Sequence, residues 1–498
     1  SEEIYFLIIL TGVVVASFQR FEWGVLFLMG ELFIGHFGRL FTLDIGSFEL
    51  TLRMAIFGVV LAAWVIQILS HGTTIHRSRV FSWIAVISGV IVWGVFRGWI
   101  SGYPLAQIFA DVNNYFYAFV AVFIYEAARC EHFFRRLFQI FTAAVLVMGT
   151  QTLLLLYLFT HQFSQWKAPL YHWTRRSGTG FIFAPEGLGG FHRIFFEGQI
   201  YMLVAFFLSA GVLIFWPNRK IVYHSITRLF FCREPDRENE AILDLRSFQK
   251  IWLLGWGSLT VILISMSRSF WLGGLFATIA MLIFLFTLLR WSVSRLARLC
   301  GVLFLGGIAS LLAITLIVKI PFPTSDITAG VSTVDIFSKR TQNFKTEEAS
   351  VSRFKLLDPL IARIREHPVL GSGFGTPVTY ATRDARALAN NPDGNYTTTT
   401  FEWGYLDTMT EVGVVGLSIF LLFYAWIARC AWRIFRSQSV SPMDRALAAG
   451  GALALLAVMA TNVTTPYLNH PLGWGIVVWL MVYFNHNLSI SYDQSHAS

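Results

Sequence analysis

The chain has 498 residues, of which 55% are hydrophobic and only 13% carry a charge. Because soluble globular proteins have about 25% charged residues, this composition excludes an ordinary soluble domain and predicts an integral membrane protein. Basic loops beside anionic lipid account for the formal net charge of +9, so we expect no nucleic-acid partner.

Apolar segments long enough to cross a bilayer, about 20 residues each, recur along the chain. They predict an all-α polytopic membrane protein with 12 or 13 transmembrane helices. The first segment lacks the basic leader and small-residue cleavage site of a signal peptide, so we expect it to remain as a span. The predicted spans are residues 4–19, 22–42, 52–70, 80–97, 113–128, 137–160, 195–216, 251–267, 270–289, 301–318, 408–428, 446–462 and 471–485.

Lysine and arginine are concentrated on one side of the predicted membrane. Of the 38 such residues, 20 fall in loops on one side, 8 on the opposite side and 10 in a single long loop. Short basic loops remain in the cytoplasm, so the first set is assigned there. We interpret the polar segment 217–250, which belongs to this set, as a solvated connector.

The four cysteines lie in or beside the predicted cytoplasmic loops, at Cys130, Cys232, Cys300 and Cys430. Because disulfides form on the oxidising side, none is expected. No CxxC spacing indicates zinc or redox chemistry, and no DxD, HExxH or EF-hand pattern indicates another metal site. We therefore expect neither a metal nor a cofactor.

Two predicted outer loops are too long to be simple connectors. One covers residues 161–195 within a transmembrane bundle of residues 1–318. The other covers residues 319–405, before the C-terminal helices and cytoplasmic tail of residues 406–498. In the large loop, Val351–Arg365 has leucine and isoleucine at helical spacing among basic residues, which predicts an amphipathic helix along the membrane surface. The next segment, HPVLGSGFG, is expected to end that helix, and a functional site is expected on this outer side.

Three arginines at the outer edge are candidates for binding an anion, because a guanidinium group matches phosphate oxygens. Arg268 lies in SMSRSFWLGG between two apolar spans, Arg193 precedes another span, and Arg353 lies on the amphipathic helix. Each has a structural alternative: Arg268 capping its turn, Arg193 reaching lipid headgroups, and Arg353 on a solvated helix face. Several arginines on one side without as many acids predict a diphosphate site.

Three further residues are assigned to binding of the diphosphate or glycan. They are Arg363, for which a solvated position is the alternative; His367, which can instead close the amphipathic helix; and Tyr405, at the start of a later span. The glycines of GLGGFHR and GSGFG lack the ending of a Walker A motif and are predicted to form turns.

Glu402 ends the large loop, in TTTTFEWGYLDTMTEVGVVGL, within a chain that has few charges. One interpretation is a capping box, with Thr399 as the N-cap residue and Glu402 reaching back to its amide. The other is a general base that takes a proton from a sugar hydroxyl. Glu411, deeper in the span, is expected to form a helix–helix hydrogen bond.

The segments SMSRSFWLGG, SRFKLLDPLIARIREHPVLGSGFG and FEWGYLDTMTEVGVVGL, in this order, resemble the O-antigen ligase/polymerase superfamily. The resemblance implies an inverting, metal-independent glycosyltransferase of the GT-C type in the bacterial inner membrane. Such enzymes take a glycan from undecaprenyl diphosphate on the periplasmic face and join it to an acceptor hydroxyl. Arg268 matches the arginine of the family's SR pattern, Arg353 its loop arginine, and Arg193 resembles an outer arginine before an upstream span.

Two adjacent positions depart from the family pattern, since Glu402 occupies the place of the family histidine and Trp403 that of the asparagine. The resemblance then implies a carboxylate base. It favours a polymerase of undecaprenyl diphosphate-linked O-antigen or exopolysaccharide repeat units. The implied partners are this lipid-linked donor, an acceptor glycan or glycolipid, membrane lipids and, as a further candidate, a chain-length regulator.

Two other functions are alternatives. One is an O-antigen ligase that transfers glycan to lipid A-core or another acceptor. The other is a transporter of lipid-linked oligosaccharides, which predicts ionisable residues near mid-span and paired broken helices. Because the charges gather at the outer edge and in one long loop, the sequence favours an enzyme.

Overall fold

The computed structural model of the protein describes residues 2–46, 48–72, 75, 78–184, 189–215, 245–327, 332–342, 348–382, 388, 391 and 393–497. The helices are α1 (Glu2–Gln19), α2 (Phe21–Ile34), α3 (Leu52–His71), α4 (Arg79–Ile100), α5 (Leu105–Val112), α6 (Val120–Ala127), α7 (Phe133–Thr160), α8 (Ser164–Arg176), α9 (Ile200–Phe215), α10 (Leu245–Ile264), α11 (Arg268–Thr287), α12 (Val293–Val318), α13 (Thr333–Gln342), α14 (Glu348–Glu366), α15 (Gly404–Arg436), α16 (Pro442–Thr461) and α17 (Pro471–Ala497). Three antiparallel hairpins pair β1 (Thr42–Ile45) with β2 (Phe48–Thr51), β3 (Gly180–Phe183) with β4 (Arg193–Phe196), and β5 (Val378–Ala381) with β6 (Asn395–Thr398). Most of the predicted connector 217–250, with Cys232, lies outside the described residues.

Ten helical segments of the described residues are long and apolar enough to cross a membrane. The predicted all-α polytopic class is therefore confirmed. The predicted spans 22–42, 251–267 and 471–485 coincide with α2, α10 and α17, which are helical but do not belong to these ten. The predicted span 113–128 begins earlier, at Leu105, and includes a 3-10 turn over Asn113–Phe119.

Helices α9, α11, α15 and α16 form the part of the bundle that supports the outer loops. Helix α9 runs along α16, and both α11 and α15 pack on α16. Helix α17 supplies two of the largest fully buried side chains, Trp474 and Trp479. Trp479 contacts the rings of Phe138 and Phe141 on α7. Buried aromatic surface of this size contributes strongly to packing, so the outer loops rest on a well-packed base.

The two long outer loops of the sequence lie on the same side of the bundle and touch each other. Lys167 of α8 donates to the Asp326 carboxylate at 2.5 Å, joining the first loop to the second. Glu2 and Arg176 form an ion pair that brings the start of α1 to this side as well. We call this side the outer face.

The amphipathic helix predicted at 351–365 is confirmed, because α14 covers Glu348–Glu366. Leu356, Leu360 and Ile364 lie one turn apart and are buried against Val378 and Phe401. This apolar stripe follows the 3.6-residue helical period. It is covered by other parts of the large loop, whereas the sequence had suggested the membrane surface as its partner.

The segment that follows α14, residues 367–375, inserts between α4 and α15, and we call it the glycine loop. Its Phe374 amide donates to the Gly94 carbonyl of α4 at 3.1 Å. A Cβ built on Gly373 would lie 2.1 Å from the Gly98 nitrogen, and Gly373 has a φ of +97°. No residue with a side chain could approach α4 this closely, so the predicted turn is also a close contact between loop and bundle.

Helix α15 is broken where the glycine loop meets it. Gly413 has φ +70° and ψ −174°, which interrupts the helix. The amides of Val414 and Val415 donate to the carbonyls of Pro368 and Val369 at 2.9 and 3.2 Å. In return, the amides of Ser372 and Gly373 donate to the carbonyls of Thr410 and Glu411 at 2.7 and 2.9 Å. The loop thus replaces the hydrogen bonds that the break removes, as backbone at membrane depth requires.

Candidate active site

The turn between α10 and α11, residues 265–267, gathers arginines from three parts of the chain. The Arg193 Nε donates to the Ser265 carbonyl at 2.7 Å, and the Arg340 Nε donates to the Met266 carbonyl at 3.3 Å. Arg268 donates to the Arg340 carbonyl from Nε and Nη2, at 3.3 and 3.0 Å. We call Arg193, Arg268 and Arg340 the arginine cluster.

The local backbone explains why these carbonyls are available to the arginines. Met266 has a φ of +47°, a conformation that residues with side chains adopt rarely and often near functional sites. Helix α11 begins at Arg268 with Ser267 as its N-cap residue. The Ser267 amide is satisfied by the Ser265 hydroxyl at 3.2 Å. The turn therefore presents two carbonyls to the outer face and starts a helix at Arg268.

Arg193 lies on the strand β4, opposite Phe183 of β3. Its guanidinium group lies over the Phe195 ring, 4.7 Å from the ring centroid, in a favourable cation–π arrangement. Together with its bond to the Ser265 carbonyl, this contact holds the charged group against the protein. The structure thus gives Arg193 protein partners, where the sequence had left lipid headgroups as an alternative.

Arg353 and Glu402, both predicted site residues, form an ion pair that joins α14 to the start of α15. The Arg353 Nη2 donates to Glu402 Oε1 at 3.0 Å, and Arg353 Nε contacts Glu402 Oε2. Trp403 adds a third link, since its Nε1 donates to the Arg353 carbonyl at 3.1 Å. The side chains of Arg353 and Glu402 are 41% and 48% exposed, so both remain accessible from the outer face.

The predicted capping box of Thr399 and Glu402 is wrong. Helix α15 begins at Gly404, its N-cap residue is Trp403, and no side chain caps the helix. Thr397 and Thr398 belong to β6, which pairs with β5 and keeps the chain before Thr399 extended. Thr399 instead hydrogen-bonds the Asp111 carboxylate, and Glu402 is left to pair with Arg353.

Glu197 is a member of this site that the sequence analysis did not single out. It lies in a 3-10 turn between β4 and α9. The Tyr467 hydroxyl donates to its Oε2 at 3.1 Å and also contacts its carbonyl oxygen at 3.2 Å. The charges of Arg193 and Arg353 both act on its carboxylate. Its one signal in the sequence was an acid four residues after Arg193, at the start of an apolar span.

Three other predicted residues make contacts away from the arginine cluster. Arg363 contacts the Tyr103 hydroxyl and the Glu366 carboxylate. The Tyr405 hydroxyl donates to the Met459 carbonyl at 2.8 Å, linking α15 to α16. His367 is exposed and follows the last residue of α14.

Acidic side chains are also buried below the glycine loop. The Tyr115 hydroxyl donates to Glu411 Oε2 at 2.9 Å, which confirms the helix–helix hydrogen bond expected for Glu411. The Asn469 Nδ2 donates to Asp407 Oδ2 at 2.9 Å, and the Gly375 amide donates to Asp111 Oδ2 at 2.7 Å. Each carboxyl group thus receives a hydrogen bond, as buried polar groups need.

Removing the hydroxyl from Tyr115 should destabilise the protein without touching the arginines. We expect Tyr115→Phe to lower the free energy of unfolding by about 1–3 kcal/mol, because Glu411 would lose a donor inside the bundle. Thermal unfolding in detergent can measure the change. The matched variant Tyr396→Phe alters a tyrosine on β6 at the outer hairpin and should have little effect. Equal midpoints for the two variants would contradict the expectation.

The arrangement is suited to holding an anion on the outer face beside carboxylates that can contact hydroxyl groups. A guanidinium group can bind two phosphate oxygens at once, and three arginines come together at one turn. Among the described residues, no group of three or more His, Cys, Asp or Glu side chains is placed to hold a metal ion.

Part of the chain is similar to a known protein family. No curated protein matches the chain. The family model described as O-antigen ligase matches residues 253–421, a range that contains Arg268, Arg340, Arg353 and Glu402 but neither Arg193 nor Glu197. This match supports the resemblance of the chain to the O-antigen ligase/polymerase superfamily.

Proposed function

We propose that the protein is a polymerase of undecaprenyl diphosphate-linked O-antigen or exopolysaccharide repeat units. It would act in the bacterial inner membrane, by inverting and metal-independent glycosyl transfer on the periplasmic face. The observation that carries this proposal is the convergence of Arg193, Arg268 and Arg340 on one turn of the outer face. Arg353 and the carboxylates of Glu197 and Glu402 lie beside these three arginines.

The arginines provide what a diphosphate leaving group needs. As the bond between the sugar C1 and the phosphate oxygen breaks, negative charge grows on the diphosphate. Guanidinium groups already held by backbone carbonyls can stabilise this charge with little reorganisation. The leaving group needs no proton, so the remaining task is to activate the acceptor hydroxyl.

We assign this second task to Glu402. Both of its oxygens contact Arg353 in the structure. A diphosphate, which carries more charge than a carboxylate, would compete for Arg353 and release Glu402. The freed carboxylate would accept the hydroxyl proton while the acceptor oxygen bonds to C1 and undecaprenyl diphosphate departs. Donor binding would in this way switch on the base.

Glu402→Gln separates catalysis from stability. Because the side chains of Arg353 and Glu402 are nearly half exposed, their ion pair should contribute at most about 1 kcal/mol to the free energy of unfolding. Loss of a general base should nevertheless lower turnover by about 10²–10⁴-fold. Both are measurable on the purified variant, by thermal unfolding and by glycosyl transfer. Wild-type turnover in Glu402→Gln would refute the assignment of the base.

An in vitro reaction tests the function itself. The purified protein is incubated in lipid nanodiscs with an undecaprenyl diphosphate-linked repeat unit and a metal chelator. A ladder of products supports the polymerase. Transfer of a single unit to added lipid A-core, without a ladder, would replace it with the ligase. Movement of the donor across the liposome membrane without any glycan transfer would replace the polymerase assignment with a transporter. The break in α15 and the buried acids are also typical features of transporters.

Polymerase is preferred over ligase because of one position. Glu402 occupies the place of the superfamily histidine, and its side chain is 48% exposed. The expected partners are the lipid-linked donor, an acceptor glycan or glycolipid, membrane lipids and a chain-length regulator. The residues Arg363, His367 and Tyr405 are retained as proposed contacts for the longer glycan, away from the reacting atoms.

A further inference from the structure

Glu197 is a partly buried acid close to residues that would bind an anion. The charges of Arg193 and Arg353 act on it, but its hydrogen-bond donor is Tyr467, which comes from the turn before α17. The proposed function does not use this carboxylate. A negative charge here weakens the attraction of the arginines for a diphosphate, so donor binding alone does not account for its presence.

The surrounding structure fixes the position of Glu197. The Gly198 amide donates to His36 Nδ1 at 3.1 Å, and the Phe196 amide donates to the Gln199 Oε1 at 3.1 Å. The Gln199 Nε2 in turn donates to the Thr152 hydroxyl at 3.1 Å. Backbone and side-chain bonds on both sides therefore hold the turn, and supported placement of this kind is typical of groups that contact a substrate.

Tyr467 leaves part of the Glu197 carboxylate available. The hydroxyl of Tyr467 contacts Oε2 and the Glu197 carbonyl, whereas the structure records no hydrogen bond from the described residues to Oε1. Tyr467 itself is buried, and its ring lies 5.6 Å from that of Phe270, two residues after Arg268. The pair is thus anchored beside the arginine cluster, with one carboxylate oxygen unclaimed by described side chains.

We propose that Glu197, positioned by Tyr467, binds hydroxyl groups of the acceptor sugar in the reaction assigned to this site. Neutral hydroxyls donate to a carboxylate without the repulsion that a diphosphate would meet, and such charge-assisted hydrogen bonds are strong. The arginines then hold the anionic donor, Glu197 holds the neutral acceptor, and Glu402 takes the proton. This inference rests on the proposed function.

The test varies acceptor and donor separately in the purified full-length protein. The acceptor is an alkyl glycoside of the repeat unit, which lacks a diphosphate, and the donor is the undecaprenyl diphosphate-linked repeat. Farnesyl diphosphate serves as the probe of the arginine site. We expect Glu197→Gln to raise the acceptor KM about tenfold or more, with a smaller rise in Tyr467→Phe. The Kd for farnesyl diphosphate should stay the same or fall, because a negative charge has been removed.

Two controls make the outcomes separable. Glu49→Gln removes an exposed outer-face carboxylate on the β1–β2 hairpin and should change neither constant. Glu197→Asp keeps the charge, and binding of farnesyl diphosphate by each variant reports a folded site. An unchanged acceptor KM in Glu197→Gln would overturn the inference, whatever the Kd for farnesyl diphosphate. If the wild-type protein itself transfers no glycan, the proposed function fails and the inference fails with it.

Discussion

Arg268→Ala should lower glycosyl transfer by about 10²–10³-fold while the protein still inserts and folds. Arg268 begins α11 and holds the Arg340 carbonyl through two guanidinium nitrogens. Its loss removes one donor to the leaving diphosphate and loosens the position of a second arginine. A single preorganised donor to a developing charge is worth roughly this factor.

Arg268→Lys refines the measurement, because lysine keeps the charge and loses the planar fork. We expect the lysine variant to recover only a small part of the turnover. Arg365→Ala, on the exposed side of α14, is the matched control and should transfer glycan at the wild-type rate. The measurements are the rate of transfer with the lipid-linked donor and the Kd for farnesyl diphosphate. Arg268→Ala with a wild-type rate would remove the arginine cluster from the mechanism.

Gly413→Ala should strongly destabilise the contact between α15 and the glycine loop. The residue has a φ of +70°, and a Cβ placed there would lie 2.2 Å from the Val369 carbonyl oxygen. The chain would have to leave a left-handed conformation and push the glycine loop away from α15. We expect a loss of about 2–4 kcal/mol in the free energy of unfolding, from backbone strain and lost hydrogen bonds.

The control for Gly413→Ala is Gly306→Ala in α12, where an added Cβ meets no atom within 4 Å. Alanine favours helix over glycine by roughly 1 kcal/mol, so this control should be neutral or stabilising. The unfolding midpoint of each variant in detergent decides the comparison. Equal midpoints would mean that the contact between the glycine loop and α15 adds little to stability.

Site residues that a local sequence pattern marks were predicted, whereas site residues whose contacts are made with distant parts of the chain were missed. Arg268 and Arg353 were found because charges are rare in this apolar chain and the family motifs mark them. Arg340 was not found, since its bond to the Met266 carbonyl spans 74 positions and involves a backbone atom that carries no sequence signal. Glu197 was missed for the same reason, because Tyr467 lies 270 positions away.

Local pattern also led to one wrong prediction. The order Thr399 to Glu402 fits a capping box, but pairing of β6 with β5 keeps the preceding chain extended. The helix then starts two residues after Glu402, at Gly404. Tertiary pairing outweighed the local preference, and the side chain that would have capped a helix became the partner of Arg353.

The chain is anchored to the helical bundle both before and after the β5–β6 hairpin. The glycine loop anchors the chain before β5. The Gly404 amide, which donates to the Asn462 carbonyl at 3.1 Å, anchors the chain after β6. Between these points Val378 of β5 is buried against Leu356 and Leu360 of α14, the helix that carries Arg353. We therefore expect substitutions in β5 to shift Arg353 relative to Glu402 and, under the proposed function, to change the rate of glycan transfer.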